Sequence, residues 1–339
     1  MSREIVPSDY ALEVRNLSTA FPHDTGKMAV VDDVSLTVRP GETLAVVGES
    51  GSGKTMTFLS VLGLVPAPGK IVNGEVLFAG KDLTTLSADQ LREHRGADIA
   101  MIFQDPLTAL NPVFTIGAQI IEVIRAHRRV SAREARQQAI DLLERVQIPD
   151  PTRLIDNYPH QLSGGMRQRT LIAMAIAHNP KLLIADEPTT ALDVTVQAQI
   201  LELLAELRTE FDMGMVLITH DLGLVAKYAD RMAVMYAGRV VEYCGINQGF
   251  AESRHPYTHS LLRGIPRLDT SPGEALKAIE GQPPNMATLP SGCAFRPRCF
   301  LGSERADCAE GRPDLQTTDD AGHFSACYHW RELSQGESD

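Results

Sequence analysis

The segment Gly48–Thr55, with the sequence GESGSGKT, has the spacing G-x-x-x-x-G-K-[ST] of a phosphate-binding loop. It follows the apolar run TLAVV and precedes a predicted helix. Its backbone N–H groups and the positive end of the helix dipole therefore converge on anionic oxygens. Lys54 is expected to reach the β- and γ-phosphates, and the Thr55 hydroxyl is expected to ligate Mg²⁺. The segment predicts a nucleotide site rather than an ordinary glycine-rich turn, and the residues predicted to bind there are Gly48, Ser50, Gly51, Gly53, Lys54 and Thr55.

A second motif, LLIADEP at residues 182–188, is an apolar run that ends in two carboxylates. A buried strand of this kind delivers Asp186 to the edge of a sheet, where it can ligate Mg²⁺. Glu187 lies one residue farther and is placed to polarise an attacking water. Either carboxylate alone could simply cap the next segment of the chain. Together with a phosphate loop, the pair predicts hydrolysis of a nucleotide.

Two more polar side chains come directly after predicted strands, Gln104 after IAMIF and His220 after VLIT. A lone histidine after a strand is more often structural than catalytic. In a parallel sheet, however, the carboxyl ends of the strands gather the groups that face a ligand. We therefore expect Gln104, Glu187 and His220 to face one phosphate as catalytic groups, and Gln104 to be a further ligand of Mg²⁺.

The segment LSGGMRQR at residues 162–169 places Ser163, Gly164 and Gly165 directly before the helical run TLIAMAIAH. A serine, two glycines and a new helix N-terminus form a second anion site, although an ordinary serine N-cap would look the same. The phosphate loop already supplies one anion-binding site for the nucleotide, so a single subunit does not need a second one. The segment therefore predicts contact with the nucleotide of a different subunit.

The elements that must position these residues alternate between strands and helices, which is typical of a mainly parallel sheet covered by helices. YALEVRNLSTAF and DDVSLTVRPGETLAVVG predict antiparallel strands leading into a buried one, and KLLIADEP, MGMVLITH and RMAVMYAGRVVEY predict further strands. Helical periodicity dominates about 87–161 and indicates an inserted helical part. Proline and glycine become frequent after residue 250. We expect an α/β nucleotide-binding domain over 1–250 and a loop-rich extension over 251–339.

Composition excludes several classes of protein. The 339 residues carry a formal net charge of −11, which argues against nucleic acid as a partner, because phosphate backbones are bound by basic surfaces. No run approaches about 18 consecutive apolar residues, so we expect no membrane-spanning helix. The N-terminal residues lack the pattern of a secretory signal. An adenylate-type kinase would leave the LSGGM segment unexplained.

In kind and order, these motifs resemble those of the ATP-binding subunits of ABC transporters. The resemblance covers about residues 10–245 and includes the loop Ala191-Leu192-Asp193. It implies a P-loop NTPase (RecA-like) core with an antiparallel β subdomain and an inserted helical subdomain. It also implies that two such subunits sandwich two ATP molecules.

The same resemblance assigns further residues to the nucleotide. Ser163 and Gly165 of one subunit would meet the γ-phosphate that Lys54 of the other subunit holds. Gly164 and Asp193 would also lie at this site, and Phe21 in LSTAFPHDTG occupies the position where the family stacks an aromatic ring on adenine. A soluble ABC ATPase acting on DNA or ribosomes would usually carry two fused ATPase halves or long coiled coils. This chain has one set of motifs.

The C-terminal part resembles the extension of dipeptide/oligopeptide importer ATPases, through HPYT at 255–258, EGQPPN at 280–285 and PSGCAFRPRC at 290–299. This branch implies a motor at the cytoplasmic face of the cell membrane. Its partners would be two transmembrane permease subunits, a sister ATPase of different sequence and an extracytoplasmic solute-binding protein. Residues 110–114 are expected to contact a permease. Nickel and glutathione importers share these features, so the substrate stays open.

Four of the five cysteines, Cys293, Cys299, Cys308 and Cys327, lie within 35 residues of the extension, with five, eight and eighteen residues between them. Disulfides are disfavoured in the cytoplasm, and structural zinc sites usually begin with a closer pair of cysteines. Four thiolates are the usual ligand set of a [4Fe–4S] cluster, and some members of the importer branch that the extension resembles carry one. We predict such a cluster, with Zn²⁺ as the alternative and buried thiols as the simplest explanation.

The remaining sulfur and imidazole groups of this region are expected to matter less. His323 and His329 lie close to Cys327 in the sequence and are at most reserve ligands. Cys244 stands apart from the group and is expected to be a packed thiol. No residue of the nucleotide site is expected in the extension, whose role would be structural.

Overall fold

The computed structural model describes residues 9–24, 26–190, 192–264 and 279–333. These residues form two compact units. The first unit consists of Val38–Glu42, Phe78–Ile218 and the residues before Glu13, and the second consists of Glu13–Thr37, Thr43–Leu77 and the described residues from Thr219 onward.

Strands and helices alternate along most of the described chain. The strands are β1 (Leu12–His23), β2 (Gly26–Val38), β3 (Thr43–Val47), β4 (Lys70–Phe78), β5 (Lys81–Asp82), β6 (Ile99–Ile102), β7 (Leu182–Asp186), β8 (Gly214–Ile218), β9 (Arg231–Tyr236), β10 (Arg239–Gly245), β11 (Gln316–Thr317) and β12 (Phe324–Ser325). The helices are α1 (Lys54–Val61), α2 (Ala88–His94), α3 (Pro106–Ala109), α4 (Ile116–His127), α5 (Ala132–Arg145), α6 (Pro151–Leu154), α7 (Gly164–Ala175), α8 (Val194–Phe211), α9 (Leu222–Tyr228), α10 (Ile246–Ala251), α11 (Pro256–Arg263), α12 (Ala306–Glu310) and α13 (Trp330–Leu333). Short 3₁₀ helices cover Leu83–Thr85, Pro159–Gln161 and Arg296–Arg298.

In the first unit, β6, β7 and β8 are parallel neighbours, with Ile102 opposite Ala185 and Asp186 opposite Ile218. Every residue of β7 and β8 is buried, as is usual for parallel strands whose two faces are both covered. Their carboxyl ends lie at the same edge of the sheet, which is where the polar residues after β6 and β7 begin.

The helical part of the first unit is built on α4 and α5, whose N-termini are capped as their sequences predict. Thr115 accepts from the Ala118 N–H, and Ser131 forms a capping box with Glu134. The apolar side chains that are buried recur every four residues, so each helix turns one apolar face inward. These side chains are Ile116, Ile120 and Ile124 in α4, and Ala135, Ala139 and Leu143 in α5.

In the second unit, five strands have the order β11-β12-β10-β9-β3, and β1, β2 and β4 belong to another sheet in the order β2-β1-β4. β9 runs parallel to β3 and antiparallel to β10. The segment RMAVMYAGRVVEY is thus a hairpin, because Ala237 and Gly238 take positive φ angles of 49° and 79° and reverse the chain.

No helix among the described residues has the length and apolar content needed to cross a bilayer. The α/β class expected from the sequence is confirmed.

Candidate nucleotide site and cysteine centre

The phosphate loop connects β3 to α1 in the second unit and depends on glycine at three positions. Gly48, Gly51 and Gly53 have φ angles of 149°, 79° and 99°, a region that residues with a side chain rarely adopt. A Cβ atom at Gly48 would clash with the carbonyl oxygen of Met235, and one at Gly53 would lie 2.7 Å from the carbonyl oxygen of Val30. The predicted glycine pattern therefore has a steric basis.

Two side chains of this loop are suited to an anion. Lys54 is 6% exposed, and its Nζ donates to the carbonyl oxygens of Gly48 at 2.7 Å and Glu49 at 2.9 Å. Ser52 Oγ is buried and has no hydrogen-bond partner within the described part of the chain. The N-terminus of α1, at Gly53, has no side-chain cap. The loop thus presents backbone N–H groups, an ammonium and a hydroxyl, which fit a phosphate chain.

The acidic edge of the first unit brings two predicted catalytic residues into contact. Gln104 Nε2 donates to Glu187 Oε2 at 2.9 Å, and Thr190 Oγ1 donates to the same oxygen at 2.9 Å. The Glu187 N–H donates to the carbonyl oxygen of Ile218 at 2.9 Å. Glu187 has a φ of 46°, which is uncommon for a residue with a side chain and often marks a functional site. Asp186 ends β7 and is 2% exposed.

The LSGGM segment forms the N-terminus of α7 in the first unit. Ser163 caps this helix by accepting from the Met166 N–H at 3.3 Å, and Ser163 and Gly164 are exposed. A Cβ atom at Gly164 would lie 3.2 Å from Leu192, and one at Gly165 would lie 2.7 Å from Val196. The two glycines therefore let the segment pack closely against the start of α8. Ser163 is a helix N-cap, which an ordinary serine in this position would also be. Its exposure leaves it accessible to a second molecule.

The remaining predicted residues are divided between the two units. Asp193 is the N-cap of α8 and accepts from the Val196 N–H at 3.0 Å. The Phe21 ring lies directly against Gly69. His220 is exposed, just beyond β8. Gln104, Asp186, Glu187, Asp193 and the LSGGM segment belong to the first unit, whereas the phosphate loop, Phe21 and His220 belong to the second. Ala191 lies outside the described residues.

The four clustered cysteines of the extension line one cavity together with apolar side chains that include Phe295, Leu301 and Pro313. The Gly302 N–H donates to Cys299 Sγ at 3.2 Å. A Cβ atom at Gly302 would lie 2.9 Å from Cys308 Sγ and 3.6 Å from Cys299 Sγ, so the backbone can approach two sulfurs only because this residue is glycine. The four thiols are thus gathered around one space, although they are spread over 35 residues of sequence.

Burial in this cavity raises the pKa values of all four thiols and so disfavours the thiolate form unless a cation is present. Burial, with the other three cysteines as a further cause, raises the pKa of Cys327 to about 12. Burial and the Asp307 carboxylate raise the pKa of Cys308 to about 11. Backbone N–H groups point at sulfur as well, from Phe295 to Cys293 and from His329 to Cys327. A positive centre would let all four thiols ionise, and N–H donors to sulfur are typical of iron–sulfur sites.

The neighbouring histidines differ in position. His323 is buried, and its Nε2 lies 2.7 Å from Glu242 Oε1. His329 lines the same cavity as the cysteines, with its Nε2 2.9 Å from Asp307. Cys244 is fully buried in the same hydrophobic cluster as Cys299, but it is not among the residues that line this cavity.

Two residues that sequence reasoning did not assign to the nucleotide site contact the phosphate loop. The Glu49 N–H donates to the Tyr257 hydroxyl at 2.8 Å, and Arg298 donates to both carboxylate oxygens of Glu49. Both residues lie in the extension, for which the sequence predicts only a structural role, and both contact Glu49 of the loop. HPYT and PSGCAFRPRC were recognisable as motifs, but nothing in their spacing indicates that they meet residue 49.

Comparisons with known proteins agree with this architecture. The family model for ABC transporters matches residues 31–190, and the model for the oligopeptide/dipeptide transporter C-terminal region matches residues 241–308. A Brucella abortus protein provisionally named as a peptide import ATP-binding protein is 53% identical over 93% of this chain and 94% of its own length. A Brucella melitensis protein of the same name is 49% identical over 95% and 98%, respectively.

Solved structures show the same core. A dimeric ATP-binding cassette in a post-hydrolysis state with ADP and phosphate has a TM-score of 0.61 and is 28% identical, covering 69% of this chain and 98% of its own. A component of an ABC transporter complex from Clostridium perfringens has a TM-score of 0.62 and is 29% identical, covering 72% and 92%. The phosphate loop, the acidic strand and these relatives agree, and the chain belongs to the ATP-hydrolysing subunits of ABC transporters, in the family with the oligopeptide/dipeptide transporter C-terminal region.

Proposed function

We propose that this chain is the motor subunit of an importer that takes up di- and oligopeptides across the cytoplasmic membrane. The observation that carries the proposal is the match of both family models in one chain, the ATPase over 31–190 and the oligopeptide-type region over 241–308. The names of the Brucella relatives point the same way. ATP binding would close a dimer of ATPase subunits, hydrolysis would reopen it, and permease subunits would convert this motion into transport.

Each site residue has a role in this proposal. Lys54 and the loop N–H groups hold the β- and γ-phosphates, while Thr55, Gln104 and Asp186 are suited to Mg²⁺, which neutralises developing phosphate charge. Glu187 polarises the attacking water, and Gln104 holds its carboxylate at 2.9 Å. His220 assists at the γ-phosphate. Phe21 stacks on adenine.

The same proposal needs a second ATPase subunit. Ser163, Gly164 and Gly165 would face the γ-phosphate bound by the sister chain, with Asp193 beside them. The exposure of Ser163 and Gly164 supports this role. By resemblance to the branch with methionine after the signature glycines, we propose a sister chain of different sequence.

The permease contact is proposed at three exposed apolar residues of the first unit, Phe103, Val113 and Phe114. Their exposed fractions are 43%, 70% and 53%, which is unusual for large apolar side chains. Leu110, expected from the sequence to belong to this surface, is 1% exposed and packs in the core. The proposed contact therefore excludes Leu110, at the start of the expected segment 110–114, and includes Phe103, which lies outside it.

The test of the proposed function is membrane association and uptake. The chain, with its sister subunit, is expected to enter the membrane fraction only when the two permease subunits are co-expressed. Cells with the full set and a solute-binding protein should take up a radiolabelled dipeptide or oligopeptide. Val113→Asp should reduce membrane association because it places a charge in an apolar interface, and Val72→Asp, at an exposed valine of the second unit, is the matched control.

Two outcomes would contradict this proposal. If membrane association did not depend on co-expression of the permeases, or if the chain co-purified with ribosomes or DNA, the result would favour a soluble ATPase. Uptake of nickel or glutathione, with none of any peptide tested, would leave the motor role intact and overturn the peptide substrate.

We also propose that Cys293, Cys299, Cys308 and Cys327 hold a [4Fe–4S] cluster, with Zn²⁺ as the alternative. The cavity shared by the four thiols and the N–H donors to sulfur support a metal centre. When bound, the cluster would hold three segments together, those of Cys293 and Cys299, of Cys308 and of Cys327, in an extension with few strands and short helices.

Anaerobically purified protein is expected to be brown, to absorb near ~400 nm, and to contain iron and sulfide. Cys299→Ser should remove most of the colour, because one of four thiolate ligands is lost. Cys244→Ala is the matched control and should keep it, since Cys244 is buried but does not line the cavity of the four cysteines. Colourless anaerobic protein with one zinc ion per chain would contradict the iron–sulfur proposal and indicate a structural zinc site instead.

A further inference from the structure

Glu49 is an unusual residue to find in a loop that binds a nucleotide polyphosphate. Its carboxylate is negative, so it repels phosphate unless a cation compensates it. Its backbone matters as well, because the Glu49 carbonyl oxygen accepts from Lys54 Nζ at 2.9 Å. Whatever holds Glu49 therefore affects both the charge of the loop and the position of its lysine.

The carboxylate is held by Arg298. The Nη1–Oε2 distance is 2.6 Å and the Nη2–Oε1 distance is 2.9 Å, a two-bond geometry that fixes both groups. The Arg298 side chain is 6% exposed and that of Glu49 is 25% exposed, so water screens the pair only weakly. The Glu49 carboxylate raises the pKa of Arg298 above its ordinary value.

Arg298 is itself held in place by its surroundings. Its Nε donates to the carbonyl oxygen of Glu280 at 3.0 Å. Its guanidinium lies 6.0 Å from the centre of the Tyr236 ring, within reach of a cation–π contact. Arg298 also directly precedes Cys299, so the cysteine-bearing segment delivers it to the loop.

Tyr257 holds the backbone of the same residue. Its hydroxyl accepts from the Glu49 N–H at 2.8 Å. Its ring is fully buried, with its centre 4.6 Å from that of Tyr236 and 5.3 Å from that of Phe295. Its own N–H donates to His255 Nδ1 at 3.1 Å, which fixes the start of α11. A tyrosine packed this way has little freedom to move its hydroxyl.

We propose that Arg298 and Tyr257 are positioning residues of the nucleotide site: Arg298 neutralises and holds the Glu49 carboxylate, and Tyr257 holds the Glu49 peptide. The inference rests on the proposed role of this loop in ATP binding. The C-terminal extension then does more than complete the fold, because it sets the charge and the shape of the phosphate loop.

The test is the affinity of the full-length chain for Mg²⁺ with a fluorescent N-methylanthraniloyl ATP, measured by titration at fixed ionic strength. Arg298→Gln is expected to raise the Kd about tenfold, because the Glu49 charge is left uncompensated. Tyr257→Phe is expected to raise it about threefold, since one hydrogen bond to the loop is lost. Arg331→Gln is the control, because it breaks a similar two-bond contact, with Asp319, that is exposed at the surface.

The decisive variant is Glu49→Gln combined with Arg298→Gln. If Arg298 acts by neutralising Glu49, the double variant no longer carries an uncompensated charge in the loop. On a logarithmic scale of Kd, it should recover at least about half of the affinity that Arg298→Gln loses. In the assembled transporter, Arg298→Gln should raise the KM for ATP by a larger factor than it lowers kcat. Retention of the ~400 nm absorbance, or of bound zinc, shows that the extension has kept its centre.

An unchanged Kd for Arg298→Gln, or a double variant as weak as Arg298→Gln alone, would overturn the inference. Lys54→Ala in the same titration separates this outcome from failure of the proposed function. If Lys54→Ala binds the probe as tightly as the wild type, the loop is not the nucleotide site at all. If Lys54→Ala fails to bind while Arg298→Gln binds normally, only the positioning role is lost.

Discussion

A Lys54→Ala chain is expected to lose ATP turnover by on the order of 100-fold or more, together with tight binding of Mg²⁺–ATP. The alanine removes the ammonium that pairs with the β- and γ-phosphates. It also removes two hydrogen bonds inside the loop, from Nζ to the carbonyl oxygens of Gly48 and Glu49. Phosphate release by the assembled transporter and nucleotide titration of the purified chain measure the two effects.

Lys181→Ala is the matched control, because the Lys181 side chain is exposed, directly before β7. It should turn over ATP as the wild type does. Near-normal turnover by Lys54→Ala, in a preparation where the sister subunit carries its own inactivating substitution, would contradict the assignment of the phosphate loop.

Glu187→Gln is expected to bind ATP and to lower turnover by about 10²- to 10⁴-fold, leaving a long-lived closed dimer with the sister subunit. Glutamine has the same size and keeps an oxygen that can accept from Thr190, so the left-handed backbone at φ 46° need not change. The substitution removes the charge that polarises water. Single-turnover hydrolysis and size-exclusion chromatography with ATP measure the two effects.

Glu206→Gln, at an exposed position of α8, serves as the control for the loss of one carboxylate. Wild-type turnover by Glu187→Gln in the presence of the partner would show that Glu187 is not the base. His220, which is exposed beyond β8, would then be the next candidate.

Much of the nucleotide site could be predicted from sequence because its parts are local. The phosphate loop is eight consecutive residues whose glycines are required by the backbone itself, at φ angles of 149°, 79° and 99°. Ser163 and Asp193 each cap the next helix in the chain, as their residue types indicate. The contact between Gln104 and Glu187 could also be predicted from sequence, because parallel strands place their carboxyl ends at one edge of the sheet.

Other features depended on side chains whose partners lie far away in the chain. Leu110 and Val113 are both apolar and three residues apart, yet one is 1% exposed and the other 70%. Burial of this kind depends on which neighbours cover each side chain, and the local pattern does not carry that information. The antiparallel pairing of the two strands on either side of Ala237–Gly238 is likewise a feature of the fold.

The class of chemistry follows from the sequence alone, because a phosphate loop, an acidic strand end and the LSGGM segment act through short stretches whose spacing sets their geometry. The sequence also determines that four thiols lie in one extension. The tertiary fold is needed to show that these thiols share a cavity and that Arg298, 249 residues beyond Glu49, pairs with the Glu49 carboxylate of the phosphate loop. A contact over such a separation depends on how the whole second unit packs, because the two segments meet only after the elements between them have folded.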